Sequence, residues 1–311
     1  MVSVCMITYN HEKFIQEAIE GVLMQQFDFE IELILANDCS TDKTDEVIQN
    51  ILENHPHASW IKYTQHKKNL GMMPNFIWAL QQCKGKYIAL CEGDDYWTDS
   101  SKLQKQVDFL EGNQEYIVCY HDVNVIDEKG NQSSNSLLGQ WKKDYSEVEL
   151  KKGAWLPTLT RCFRNMNFIF PSEFYKVAAG DHFLTGILGL YGKAKYLDFN
   201  GGNYRIHKNG VWNSKNIFDS NIAMLKDYIL LIKFWKNKNE KEVYNFYKSS
   251  IKNTNEKLIE ICMKNNEIKY FIKVLRINFM KNKSFYSVHN IVLIVNNLTK
   301  KILKKMVLNN V

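Results

Sequence analysis

Val2-Ser-Val-Cys-Met-Ile-Thr8, the helical spacing of Phe14, Ala18, Val22 and Gln25 within Lys13–Gln26, and Ile31-Glu-Leu-Ile-Leu-Ala-Asn37 follow one another at the start of the chain. Two apolar runs of strand length bracket one amphipathic helix, the order in which a parallel strand pair joined by a crossover helix reads. The pattern repeats downstream. Trp60–Thr64 and Tyr87–Glu92 read as further strands, and Thr41 or Asp42 can cap a helix carrying Val47, Ile48, Ile51 and Leu52. Strands alternating with helices over the first ~110 residues predict an α/β, Rossmann-type nucleotide-binding sheet.

Beyond it, Tyr116–Asp127 is strand-like, Gln132–Lys152 reads as a polar, irregular, mobile loop, and Asn167–Phe170 and Lys195–Tyr204 are expected strands around a helix starting near Asp181. A catalytic domain is therefore expected at 1–214. Residues 215–311 read as a helical, Lys-rich extension with 19 Lys or Arg against 7 Asp or Glu, while residues 1–214 hold 21 against 27. That split points the two parts at different partners, with anionic surfaces for the basic one.

Seven cysteines occur singly, without a Cys-x-x-Cys pair, so neither a disulfide framework nor a structural zinc site is indicated. The N-terminus lacks the pattern of a secretory signal, and the late apolar run Ile291–Val295 is far below the ~20 residues of a membrane-spanning helix. A cytoplasmic protein is expected. No Gly-x-Gly-x-x-Gly or Walker-type Gly-x-x-x-x-Gly-Lys-Ser/Thr sequence occurs, which removes the common dinucleotide and P-loop readings.

Ligands of open α/β sheets bind beyond the carboxyl ends of the strands, so the residues there carry the functional reading. They are Thr8-Tyr9-Asn10-His11, Asn37-Asp38-Cys39-Ser40-Thr41-Asp42, Asn69-Leu70-Gly71 and Glu92-Gly93-Asp94-Asp95-Tyr96-Trp97. Glu92, Asp94 and Asp95 repel one another unless a cation lies among them, and their oxygens suit Mg²⁺ or Mn²⁺ at Asp94–Asp95. Such an ion can bridge the two phosphates of a nucleotide diphosphate leaving group. The other reading of Gly-Asp-Asp is an ordinary surface turn. Asp38 can cap a helix or accept a hydrogen bond from a base N–H.

In order and spacing, these segments resemble family 2 glycosyltransferases of the GT-A fold over roughly residues 1–210. The resemblance implies that Thr8, Tyr9 and Asp38 contact the base, with Asn10, Asn69 and Gly71 in the same nucleotide-binding segments. It implies Asp94 at the ribose or phosphates and Asp95 on the metal. Glu92 departs from the Asp that many members carry and is treated as a supporting residue. The Gly180-Asp181-His182 segment resembles the family's base-bearing helix start, which makes Asp181 the expected base of an inverting transfer, His182 the weaker candidate, and a helix cap the alternative. Tyr204-Arg205-Ile206-His207 resembles a closing element in which His207 completes the metal coordination and Arg205 is either a diphosphate clamp or a structural ion pair.

The resulting expectation is a metal-dependent hexosyltransferase that moves sugar from a UDP-hexose or UDP-N-acetylhexosamine to a glycan or lipid-linked oligosaccharide. The setting would be cell-surface polysaccharide, lipopolysaccharide or capsule assembly. Acceptor contacts are expected from Gln132–Lys152 and Trp155–Asn165. Ile291, Val295, Leu298, Ile302 and Met306 recur at helical spacing opposite Lys300, Lys301 and Lys304, which predicts an amphipathic helix. It lies either on the inner face of the membrane, making the enzyme peripheral, or against the catalytic domain. Nucleic acid is not an expected partner, because Trp235 and Tyr244 read as helix-face core residues. The alternative function is a catalytically silent nucleotide-sugar or glycan-binding module docked at the membrane.

Overall fold

The computed structural model describes residues 1–210 and 215–265. The chain divides into two compact units, Met1–Ser214 and Lys215–Val311. In chain order the first contains β1 (Val2–Thr8), α1 (Ile15–Leu23), β2 (Ile31–Asn37), α2 (Thr44–Asn54), β3 (Ile61–Gln65), α3 (Met72–Gln82), β4 (Tyr87–Leu90) and β5 (Tyr96–Trp97). There follow α4 (Lys102–Gly112), β6 (Tyr116–Asp127), β7 (Gln132–Ser134), α5 (Glu147–Lys151), β8 (Cys162–Arg164), α6 (Gly180–Leu188) and β9 (Lys193–Ile206).

The strands form a mixed sheet in the order β3-β2-β1-β4-β8-β6-β9-β5, with β7 on β6. β1 pairs in parallel with β2 from Val2↔Ile31 to Thr8↔Asn37, and with β4 from Val2↔Tyr87. Chain order therefore reverses at β1, which opens a crevice at the carboxyl ends of β1 and β4. β1 and β2 are buried on both faces, which is why each reads as a nearly continuous apolar run. Val4, Met6, Leu33, Leu35 and Ala89 meet Ile15, Ile19 and Val22 of α1, Ile48 of α2, and Leu103 and Val107 of α4. Helix α3 packs on β1 and β2 with Ile77 and Leu80 buried. At Gly21 an added Cβ would lie 2.8 Å from the Trp97 backbone, so only glycine lets α1 lie this close to β5.

The structure revises four local expectations. Helix α1 is shorter than Lys13–Gln26, since the His11 carbonyl accepts the Phe14 and Ile15 amides in a turn and Gln25 bonds out to Asp99 and Leu103. The cap position of α2 falls on Lys43, with no side-chain cap bond, rather than on Thr41 or Asp42, although Asp42 accepts the Thr44 N–H at 3.0 Å. Residues 132–152 contain β7 and α5 rather than being irregular throughout. There the buried Asp122 carboxylate accepts from the Leu137 and Leu138 amides, Ser136 Oγ and Lys142 Nζ, and a Ser146–Glu149 capping box starts α5. Finally, Asn167–Phe170 is not a strand. Phe168 and Phe170 stack into a ring cluster with Phe163 and Phe174, and Cys162–Arg164 is the strand instead, between β4 and β6.

The second unit contributes α7 (Ile217–Lys236) and α8 (Lys241–Asn265). The Asn216 side chain caps α7, and Phe218, Ile222, Leu225 and Ile229 pack on Leu258 and Cys262. Trp235 is fully buried. The expected helix at Ile291–Met306 lies outside the described residues. No described helix is long and apolar enough to cross a membrane.

Candidate active site

Two exit loops form the floor of the crevice. Asn10 and Cys39 both adopt left-handed backbone, φ 56° and 61°, which turns the chain sharply after β1 and β2. The Asn10 side chain accepts the Thr41 N–H at 2.8 Å, the Asn10 N–H donates to Ser40 Oγ, and the His11 N–H donates to Thr44 Oγ1. Asn10 thus sews the loops together, and its side-chain oxygen is used in doing so. Asp38, Asn69 and Gly71 come together as a second unit. The two Asp38 carboxylate oxygens accept the Leu70 and Gly71 amides at 2.7 and 2.9 Å, Asn69 Oδ1 also accepts from Gly71, and Gly71 has φ 90°. Asp38 is therefore a latch for the loop after β3 as well as a candidate for the base. Thr8 is buried with no partner for its hydroxyl, whereas Tyr9 is 43% exposed.

The acidic turn lies against the end of β1. The Gly93 N–H donates to Ile7 O, and an added Cβ at Gly93 would stand 2.8 Å from Thr8 Oγ1 and 3.1 Å from His11 Nδ1. Only glycine lets Asp94 reach its neighbours. Asp94 Oδ2 is 3.0 Å from His207 Nε2 and 3.9 Å from His11 Nε2. One ligand atom from each of these three residues lies within 4.8 Å of the others. Metal ligands were expected at Asp95 and His207; the structure brings His207 to Asp94 instead. Asp95 points away, its carboxylate accepting the Arg205 N–H at 2.8 Å.

Arg205 is bonded within the protein. Its guanidinium donates to the Asp94 and Asp127 carbonyls and to Glu17 Oε2, and it stacks over Phe14 and Tyr96. With those bonds made, it holds the acidic turn to β9.

Electrostatics separates the three neighbouring carboxylates. Burial, followed by the charges of Asp94 and Asp181, pushes Glu92 up to about 8. Burial and then Asp94 and Glu92 raise Asp95 well above the carboxylate range. Burial acts the same way on Asp94, but the His207 hydrogen bond and the His11 charge outweigh it and hold Asp94 low. Asp94 is thus the carboxylate of this turn that stays ionised most readily. Tyr204 is raised by burial and then by the charges of Asp95, Glu92, Asp94 and Asp181.

Asp181 lies in the first turn of α6, a helix preceded by Ala179, so it is not the N-cap. Its side chain is 25% exposed, and its carboxylate is 4.0 Å from Arg161 Nη2. An open cavity of about 480 Å³ adjoins the site beside His207, bordered by Asp127, Glu128, Asn131 and Lys208.

Sequence reasoning missed His11 and Arg161. His11 closes the first strand-end segment, Thr8–His11, and has no role assigned to it there, although its position flags it. Arg161, in Thr160-Arg161-Cys162, carries no such signal.

Comparisons with known proteins bear on the family and the fold. Residues 3–170 match the family described as glycosyl transferase family 2. A Mycobacterium tuberculosis protein of uncharacterised function is 34% identical over 214 residues, 68% of this chain and 60% of the relative, so the chain spans about 60% of that relative's length. TuaG of Bacillus subtilis, provisionally named a teichuronic acid biosynthesis glycosyltransferase, is 31% identical over 110 residues, 35% of this chain and 42% of TuaG. Among solved structures, Staphylococcus aureus TarS 1–349 in complex with UDP-GlcNAc aligns with TM-score 0.56 at 16% identity, covering 91% of this chain and 93% of TarS 1–349. The mannosyltransferase PcManGT of Pyrobaculum calidifontis, in complex with GDP-Man and Mn²⁺, aligns with TM-score 0.58 at 14% identity, covering 97% of this chain and 80% of its own. These alignments carry the fold, which is GT-A, and with the sequence match they establish that the chain belongs to glycosyl transferase family 2.

Proposed function

We propose that residues 1–214 form an inverting, metal-dependent hexosyltransferase that takes sugar from a UDP-hexose or UDP-N-acetylhexosamine and adds it to a cell-surface glycan acceptor. The observation that carries this reading is the convergence of Asp94, His207 and His11 at the mouth of the β1–β4 crevice. Thr8 Oγ1 and His11 Nδ1 are buried beside it, without a partner among the described residues. Buried polar atoms without partners are costly in a folded chain and mark a place where a ligand completes the bonding.

Two imidazoles and a carboxylate fit a first-row divalent cation such as Mn²⁺, and suit Mg²⁺ less, since Mg²⁺ favours oxygen ligands. A cation held by Asp94 and His207, with His11 alongside, would screen the charge that develops on the departing diphosphate. The chain's own residues do the rest. Tyr9 offers an exposed ring to the base, Asp38 retains lone pairs for a base N–H beyond its two amide bonds, and Thr8 offers its free hydroxyl. Asp181 takes the proton of the acceptor hydroxyl while that oxygen attacks the anomeric carbon opposite the leaving diphosphate, which inverts the configuration.

A UDP-linked donor is supported by TarS, whose structure holds UDP-GlcNAc. A glycan of the cell surface, free or lipid-linked, is supported by the name of TuaG. The basic segment 215–311 would hold the enzyme on the anionic inner face of the membrane, at the cytoplasmic side.

The test is UDP release from a panel of UDP-sugars with Mn²⁺, Mg²⁺ or EDTA, for wild type, Asp94→Ala and Asp181→Asn. One donor should turn over with Mn²⁺, more slowly with Mg²⁺ and not with EDTA. Each substitution should lower kcat by about 10²-fold or more, while Asp181→Asn still binds UDP. Donor binding without turnover across many glycan acceptors would favour a silent binding module, and loss of all nucleotide binding would refute the reading.

A further inference from the structure

Arg161 is 1% exposed, and no catalytic role follows from its place in the sequence. Its backbone carbonyl accepts the N–H of Leu90, the last residue of β4 and two residues before Glu92. Its side chain reaches the other way. Nε donates to Leu156 O at 2.8 Å, Nη2 donates to the same carbonyl, and Nη1 donates to Asp181 O at 3.1 Å. Nη2 also lies 4.0 Å from the Asp181 carboxylate. One residue thus ties the strand that carries the acidic turn to the helix that carries Asp181, although the three segments are far apart in sequence. The guanidinium is also a buried positive charge facing Glu92 and Asp181, which both stabilise its charged form against burial.

Arg161 brings a buried positive charge to within 4.0 Å of the Asp181 carboxylate. A planar guanidinium supplies that charge and fixes direction at the same time, because Nη1 donates to the Asp181 carbonyl while Nε and Nη2 are held by the Leu156 carbonyl. Lysine carries the charge without the fork. We propose that Arg161 is a positioning residue for Asp181, setting the direction of its carboxylate toward the acceptor. This rests on the reading of Asp181 as the base.

The experiment compares wild type, Arg161→Lys, Arg161→Met, Asp181→Asn and the double variant Arg161→Met/Asp181→Asn in the Mn²⁺-supported transfer assay, with UDP affinity measured by calorimetry. Arg161→Met should lower kcat by about 10²-fold, the scale of a base displaced by about an ångström. Donor KM and UDP affinity should stay within about twofold, since the nucleotide side is untouched, and Arg161→Lys should recover part of the loss. In the Asp181→Asn background, Arg161→Met should cost nothing further, because the group it positions is gone.

Equal losses in both backgrounds, or a parallel loss of UDP affinity, would show that Arg161 only supports the fold and would overturn the inference. If Arg161→Met does not fold, the same comparison is read with Arg161→Lys in both backgrounds. Full activity of Asp181→Asn would remove the base assignment and this inference with it, an outcome separate from an Arg161→Met variant that is fully active beside an inactive Asp181→Asn.

Discussion

Neighbouring residues of one chemical type take different roles here according to what faces them. Asp94 and Asp95 are adjacent in sequence, yet one meets two imidazoles and the other a backbone amide. His121 shows the same dependence on surroundings. It is fully buried, its Nδ1 donates to the Asp122 carbonyl, Nε2 has no partner, and its ring stacks on Phe199 at 4.5 Å. Burial, then the charge of Lys102, drives its pKa down to about 3. In the native state His121 is therefore neutral where an unfolded chain, with an ordinary value near 6.5, binds a proton. The unfolded state holds more protons below that value, so this residue's contribution is fully present above pH 6.5 and is lost as pH falls from 6.5 toward 3. The slope is about 1.4 kcal/mol per pH unit. Replacing His121 with Phe should flatten the acid side of the stability profile, measured by urea unfolding at pH 7.5, 6 and 5. Parallel profiles for the two proteins would contradict the burial argument.

At the scale of elements, the crevice depends on loops latched by side chains rather than on the strands alone. Asp38 fastens the turn Asn69–Gly71 through two charge-assisted bonds, and that turn leads into α3. Asp38→Ala should cost about 2–4 kcal/mol, from two amides left without their charged acceptor. It should also raise donor KM by about tenfold, as the loop loosens and the base contact goes. Chemical denaturation and donor titration on one preparation check both. Unchanged stability with weakened donor binding would leave Asp38 a base contact without a latching role. The segment before α6 works similarly, since Phe168, Phe170 and Phe174 hold it through ring contacts, not through strand pairing.

For the whole molecule, the division of charge between 1–214 and 215–311 is the largest feature, and it predicts a salt-dependent surface attachment. Full-length protein should float with vesicles rich in anionic lipid at low ionic strength and be released as salt rises to about 0.5 M, where screening shortens to a few ångströms. Changing Lys300, Lys301 and Lys304 to Glu should abolish flotation while leaving UDP release intact. Attachment that survives both salt and charge reversal would point away from an electrostatic contact.

The sequence alone determined the α/β plan, the strand-end segments that meet at the crevice and the family, because each depends on local period and on short motifs read in order. Val2–Thr8 and Ile31–Asn37 announce a buried parallel pair by being apolar throughout. Only the tertiary structure decided which carboxylate of the acidic turn meets the histidines, that Arg205 is engaged by Glu17, and that Arg161 links β4 to α6. Those outcomes depend on contacts between residues such as 94 and 207 or 17 and 205. Side-chain direction and burial there are set by packing across the sheet, which no local pattern encodes.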